Sequence, residues 1–187
     1  MISRFGLLGA ASGGLAFGSL YIPTVEMPGG EVLGICIGLR VMGACGGPNL
    51  AFYAFPGLVF GVVFAIALRR LAAIDRGQAA VFVAGATLAY ALAVAVTLTA
   101  IDVVGSGPLA LAVIGAGAGA LGGGLLAALA VWRLGAQSWG PPTMIGAVLG
   151  ALLPLSQWMP GMIAFYVLCQ AGYGAALAAE LPRRAPA

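Results

Sequence analysis

The chain has 187 residues, of which 62% are hydrophobic and 7% charged, and its net charge is +3. A mean hydropathy of +1.10 with so few charges excludes a soluble globular domain and makes this an integral membrane protein with the lipid bilayer as its first partner. Lysine and histidine are both absent, which removes Schiff-base chemistry, imidazole acid–base catalysis, histidine ligation of haem and nearly all catalytic zinc sites.

A helix crosses a hydrocarbon core of about 30 Å with roughly 17 to 25 residues, and six apolar runs approach that length. They extend from Phe5 to Ile22, Phe52 to Leu68, Ala79 to Ile101, Leu109 to Trp132, Pro142 to Trp158 and Gly161 to Ala179. The fifth is the weakest: it is short and contains Pro154, although Trp139 and Trp158 stand where interfacial aromatics anchor a span. The first run begins after Arg4 and includes "AFG" at Ala16 to Gly18, a loose likeness to a signal peptide. Its apolar core is diluted by Gly6, Gly9, Gly13 and Gly14, so a retained span is the better reading.

Arginine placement sets the orientation. With the N-terminus inside, Arg4, Arg69, Arg70, Arg76, Arg133, Arg183 and Arg184 are cytoplasmic and Arg40 alone is outside. The basic charge thus follows topology and leaves no patch for nucleic acid. The expected fold is all-α, one transmembrane bundle over residues 1–187, with six helices as three hairpins and both termini cytoplasmic. An alanine- and glycine-rich, arginine-only composition suggests a bacterial inner membrane.

Residues 24–49, "TVEMPGGEVLGICIGLRVMGACGGPN", concentrate charge that the rest of the chain lacks. The stretch from Val32 to Ala44 is below spanning length, and a central Arg40 opposes insertion by about 2.5 to 3.5 kcal/mol. Residues 23–51 are therefore expected to form a glycine-rich outer cap, re-entrant or packed over the helix ends. Its candidate polar residues are Glu26, Glu31, Arg40 and Asn49, with Asp102 on the same side. The bland reading of these charges is a solvated loop. Cys36 and Cys45 share the segment, where a disulfide is chemically permitted, but they match no metal or redox spacing, and packing as small apolar residues is the leading reading.

Gly117 to Gly122 reads "GAGALG", which satisfies a dinucleotide fingerprint in the wrong context, deep inside an apolar run. No cofactor is expected. Close helix packing explains the glycines instead: Gly115, Gly119 and Gly123 recur every fourth residue, as do Gly6, Ala10 and Gly14, and Gly146 with Gly150.

Polar groups inside apolar runs are the better functional pointers, because unpaired ones are unfavourable in hydrocarbon and turn toward the bundle interior. Ser12, Thr87, Tyr90 and Gln170 sit near the middle of their runs, and Tyr166 and Tyr173 flank Gln170 on one helical face. Their simplest role is interhelical hydrogen bonding and packing. Their functional role is a pocket for a small uncharged or aromatic solute. No buried carboxylate suits a proton-coupled pump, and no nucleophile–base pair or metal-ligand pattern suits an enzyme. Two expectations stand: a small-solute permease or channel, or its membrane-embedded binding subunit; and a non-catalytic scaffold subunit associating as a homo-oligomer or with other membrane subunits.

Overall fold

The computed structural model describes residues 2–19, 31–32, 35–36, 50–71 and 74–182. Its helices are α1 (Ile2–Ser19), α2 (Leu50–Leu71), α3 (Arg76–Val104), α4 (Pro108–Leu134), α5 (Gly140–Gly150) and α6 (Met159–Glu180). A short 3-10 helix over Leu153–Gln157 joins α5 to α6. A two-residue antiparallel ladder pairs β1 (Glu31–Val32) with β2 (Ile35–Cys36) in the glycine-rich segment. Glu26, Arg40, Cys45 and Asn49 lie outside the described residues, and with them most of the expected cap and the Cys36–Cys45 disulfide.

Helices α3, α4 and α6 are long and apolar enough to cross a membrane, which marks a multi-pass membrane protein. The outer surface agrees with a lipid environment. Leu7, Leu88, Leu109, Val113 and Val148 are all more than 60% exposed, a surface that water would penalise and acyl chains would not.

Local chemistry sets the helix ends. Asp75 caps α3 by accepting from the Gln78 N–H at 2.7 Å, while the Gln78 side chain accepts from the Asp75 N–H at 3.1 Å. Gly105 closes α3 at φ 96° and ψ 177°, a conformation open essentially to glycine. Pro108 starts α4, where its missing N–H leaves no bond unmade. Gly135, at φ 69° and ψ 29°, ends α4 in the left-handed region, and the Ala136 N–H returns to the Ala130 carbonyl at 3.2 Å.

The fifth predicted span is not one continuous helix. α5 has 11 residues, about 16 Å of rise, and stops at Gly150. Pro154 is the cause, because it has no N–H to donate to the Gly150 carbonyl and its ring would collide with that carbonyl in an α-helix. The chain continues as the 3-10 turn, whose Gln157 donates to the Ser106 carbonyl at 3.1 Å beside the start of α4. At the other end Gln78 donates to the Arg133 carbonyl at 3.1 Å and the Gln137 N–H donates to the Glu180 carbonyl at 2.9 Å. Helix α5 and its 3-10 extension thus run from the end of α4 back to the start of α4.

Each helix packs on its chain neighbours, and α1 returns to α6, so the six helices close into a ring. Packing is densest for α1 on α6, α4 on α5 and α2 on α3, which lies between the expected hairpins and not within them. Glycines explain these close approaches. A methyl on Gly9 or Gly13 of α1 would collide with the Gln170 or Tyr166 carbonyl of α6. One on Gly115 or Gly119 would strike the Gly150 or Gly146 carbonyl of α5. Gly14 has open space around it and Gly6 only ordinary contacts, so the tight face of α1 is Gly9 and Gly13, one step round from the expected Gly6 and Gly14.

Phe5, Phe60 and Phe64 anchor the core at one end of the ring, with Phe60 and Phe64 stacked at 4.3 Å and Phe5 tilted on Phe64 at 5.3 Å. A second cluster gathers Ala16 and Tyr166 with Phe17, Tyr90 and Phe165.

Candidate functional site: a cavity inside the helix ring

A cavity of about 380 Å³ lies inside the ring, within the size range of small-molecule pockets. Five helices and the 3-10 turn wall it. α2 contributes Pro56, Gly57 and Phe60; α3 contributes the face running from Ala86 to Ile101; α4 contributes small residues at Gly115, Ala118 and Gly119. Gly146 and Gly150 of α5, Ser156 of the turn and the Met162 to Tyr173 face of α6 complete it. The glycines of α4 and α5 face one another's backbone at this wall, so the two helices meet there with no side chain between them.

Four of the six residues singled out in the sequence line this space: Tyr90, Tyr166, Gln170 and Tyr173. The last three share a face of α6 because their spacing of four and three residues is one helical turn each. The Tyr90 hydroxyl donates to the Tyr166 hydroxyl at 3.1 Å, joining α3 to α6. The Tyr173 hydroxyl donates to the Gly119 carbonyl and rests against Gly123 and Gly146, where a methyl on either would displace it. Those glycines therefore form the slot for a phenol as well as a helix contact.

Ser12 lies behind the wall, fully buried. Its hydroxyl meets the Gly9 carbonyl of its own helix at 2.9 Å and the Gln170 side-chain oxygen. The Gln170 amide in turn donates to the Pro56 carbonyl at 3.4 Å. One polar side chain of α6 thus ties α1 and α2 to it, and it is 8% exposed. Among the described residues no buried side-chain nitrogen or oxygen is left without a partner. Thr87 is not part of the cavity wall; its hydroxyl bonds back to the Val83 carbonyl at 2.8 Å in its own helix.

Two wall residues, Thr97 and Ser156, were passed over in the sequence, and Cys169, whose simplest role there is packing, also lines the wall. Thr97 bonds to the Ala93 carbonyl at 2.8 Å and Ser156 to the Leu153 carbonyl at 2.7 Å, and Cys169 directs its thiol at the Leu149 carbonyl at 3.7 Å. Thr97 is a polar residue inside an apolar run and carried the same signal as Thr87. Ser156 was hidden because its segment read as continuous helix. Asp102 is exposed in the last turn of α3, away from the cavity wall.

The described residues contain no cluster of histidine, cysteine or carboxylate groups able to hold a metal ion. Among the described residues no carboxylate or arginine lines the cavity, so the described wall is neutral and mostly apolar, with three phenols, one amide, two aliphatic hydroxyls and one thiol as its polar groups. No protein-family model, no curated protein and no solved structure matches the chain.

Proposed function

We propose that the protein is a small-solute permease or channel, or the membrane-embedded binding subunit of one, and that its cavity takes an uncharged, largely apolar solute. The observation that carries this reading is the cavity itself: about 380 Å³ walled by five of six helices, with Tyr90, Tyr166, Gln170 and Tyr173 on its surface. A scaffold built only to pack has no need of such a space, because close packing of helices is what holds membrane bundles together. The neutral wall formed by the described residues favours an uncharged solute, since a charge would meet no compensating group among them.

In this reading six segments cross a bacterial inner membrane as three hairpins, the fifth as a broken helix. Arg69, Arg70, Arg76 and Arg133 then lie on the cytoplasmic side with both termini. Broken helices at membrane depth are common where transporters bind their solutes, and the α5 break adjoins Gly150 and Leu153 of the cavity wall.

The test is saturable binding of the uncharged probe N-phenyl-1-naphthylamine to protein in nanodiscs, compared with Ala118→Trp, which places an indole in the cavity. The reading predicts one protein-dependent site per chain, lost in the variant while helical content is unchanged. Equal probe signal from both proteins would refute it.

A further inference from the structure

The hydrogen atoms of the cavity's polar side chains point to what its solute must carry. Thr97, Ser156 and Tyr173 each commit their only hydroxyl hydrogen to a backbone carbonyl. Cys169 directs its thiol hydrogen to the Leu149 carbonyl. Tyr90 and Tyr166 differ, because their two hydroxyls share one hydrogen bond of 3.1 Å. Whichever phenol donates, one hydrogen joins the pair and the other has no acceptor among the described residues. The Gln170 amide likewise has two N–H groups and one acceptor, the Pro56 carbonyl at 3.4 Å. The hydrogens left unspent among the described wall residues are therefore one phenol O–H of the Tyr90–Tyr166 pair and one N–H of Gln170, both of which call for an acceptor on the solute.

We infer that the cavity selects apolar solutes bearing a neutral oxygen acceptor, a ketone or ester carbonyl, which takes the unshared phenol hydrogen of the Tyr90–Tyr166 pair. This inference rests on the proposed solute-binding role and specifies its chemistry. The pair is well placed for selection, because it bridges α3 and α6 and is buffered by Phe17 and Phe165 packed about Tyr166. A hydrogen-bonded phenol is also a better donor of its remaining hydrogen once its oxygen accepts a bond, since such chains polarise one another. The same chemistry is offered by a free carbonyl solute and by the ester of a membrane lipid.

The test uses benzophenone as a photoreactive probe on the full chain in nanodiscs, with labelled residues mapped by mass spectrometry. Fluorenone and fluorene, of matched shape, compete at equal concentration in the bilayer, the first with a carbonyl and the second without. Labelling of the cavity faces of α3 or α6 is expected, with fluorenone roughly five- to tenfold the better competitor. In Tyr90→Phe/Tyr166→Phe that advantage falls below about twofold, whereas Tyr90→Phe alone keeps it because one phenol hydrogen remains. Equal competition by fluorenone and fluorene in the wild-type protein would overturn the acceptor inference and leave the cavity's role intact. Absence of cavity labelling would overturn both. Ether-linked lipids separate the two sources: fluorenone competes better there than in ester lipids if lipid carbonyls occupy the site, and equally in both if the site is kept for free solutes.

Discussion

The bond between Ser12 and Gln170 makes a sharp prediction about how α1 is held. Ser12→Ala removes the partner of the Gln170 side-chain oxygen in a place where water is absent, since Ser12 is 0% exposed. Leaving such a group unpaired costs about 1 to 3 kcal/mol in general, while measured membrane hydrogen bonds average about 0.6 and reach about 1.7 kcal/mol. A loss near 1 kcal/mol is therefore expected. In a Gln170→Leu background the same change should cost under about 0.3 kcal/mol, because Ser12 then bonds only the Gly9 carbonyl of its own helix. The four proteins form a double-mutant cycle, read by reversible unfolding in bicelles, with an expected coupling of about 0.7 to 1 kcal/mol. Additive effects would show that the two side chains do not bond across α1 and α6, and would remove the main polar link between them.

Glycine substitutions should divide by what surrounds them. Gly9→Ala and Gly146→Ala place a methyl against a neighbouring backbone carbonyl and should destabilise by about 1 to 3 kcal/mol, whereas Gly14→Ala and Gly117→Ala have open space and should be neutral or slightly stabilising in the same unfolding assay. Gly105→Ala should cost about 1 to 3 kcal/mol because of its positive φ, and Gly107→Ala, equally open but with an ordinary φ, should cost little. Tyr173→Phe should lose roughly 0.6 kcal/mol of stability while Gly123→Ala loses more, since the methyl displaces the whole phenol and not one bond. Benzophenone should slow alkylation of Cys169 by N-ethylmaleimide, followed by mass spectrometry, because the thiol lies in the cavity wall; an unchanged rate would place the ligand elsewhere.

The helices were legible because lipid requires long apolar runs and arranges glycines in visible rows. Their extents fell within a few residues for α3, α4 and α6, where capping by Asp75, Pro108 and Gly135 coincides with the change in hydropathy. The break in α5 was less legible, although Pro154 was in plain view: membrane helices tolerate proline when neighbours satisfy the freed carbonyl, so proline alone does not decide. Pro56 makes the contrast, since it sits inside α2 without ending it. The choice of Gly9 and Gly13 over Gly6 and Gly14 was not readable, because both pairs have equally small faces and only the position of α6 selects between them. The shared face of Tyr166, Gln170 and Tyr173 followed from helical spacing, but the pairing of Tyr166 with Tyr90 and of Gln170 with Ser12 depends on how α1 and α3 lie against α6. The cavity is a property of the closed ring and leaves no mark in any one segment.

Native mass spectrometry of the chain released from native nanodiscs tests the central claim most directly. A chain or homo-oligomer carrying one small neutral molecule per cavity, absent from Ala118→Trp, is the predicted result. A chain found only with other membrane subunits, and with no small molecule in either protein, would contradict a solute-binding role and favour a scaffold.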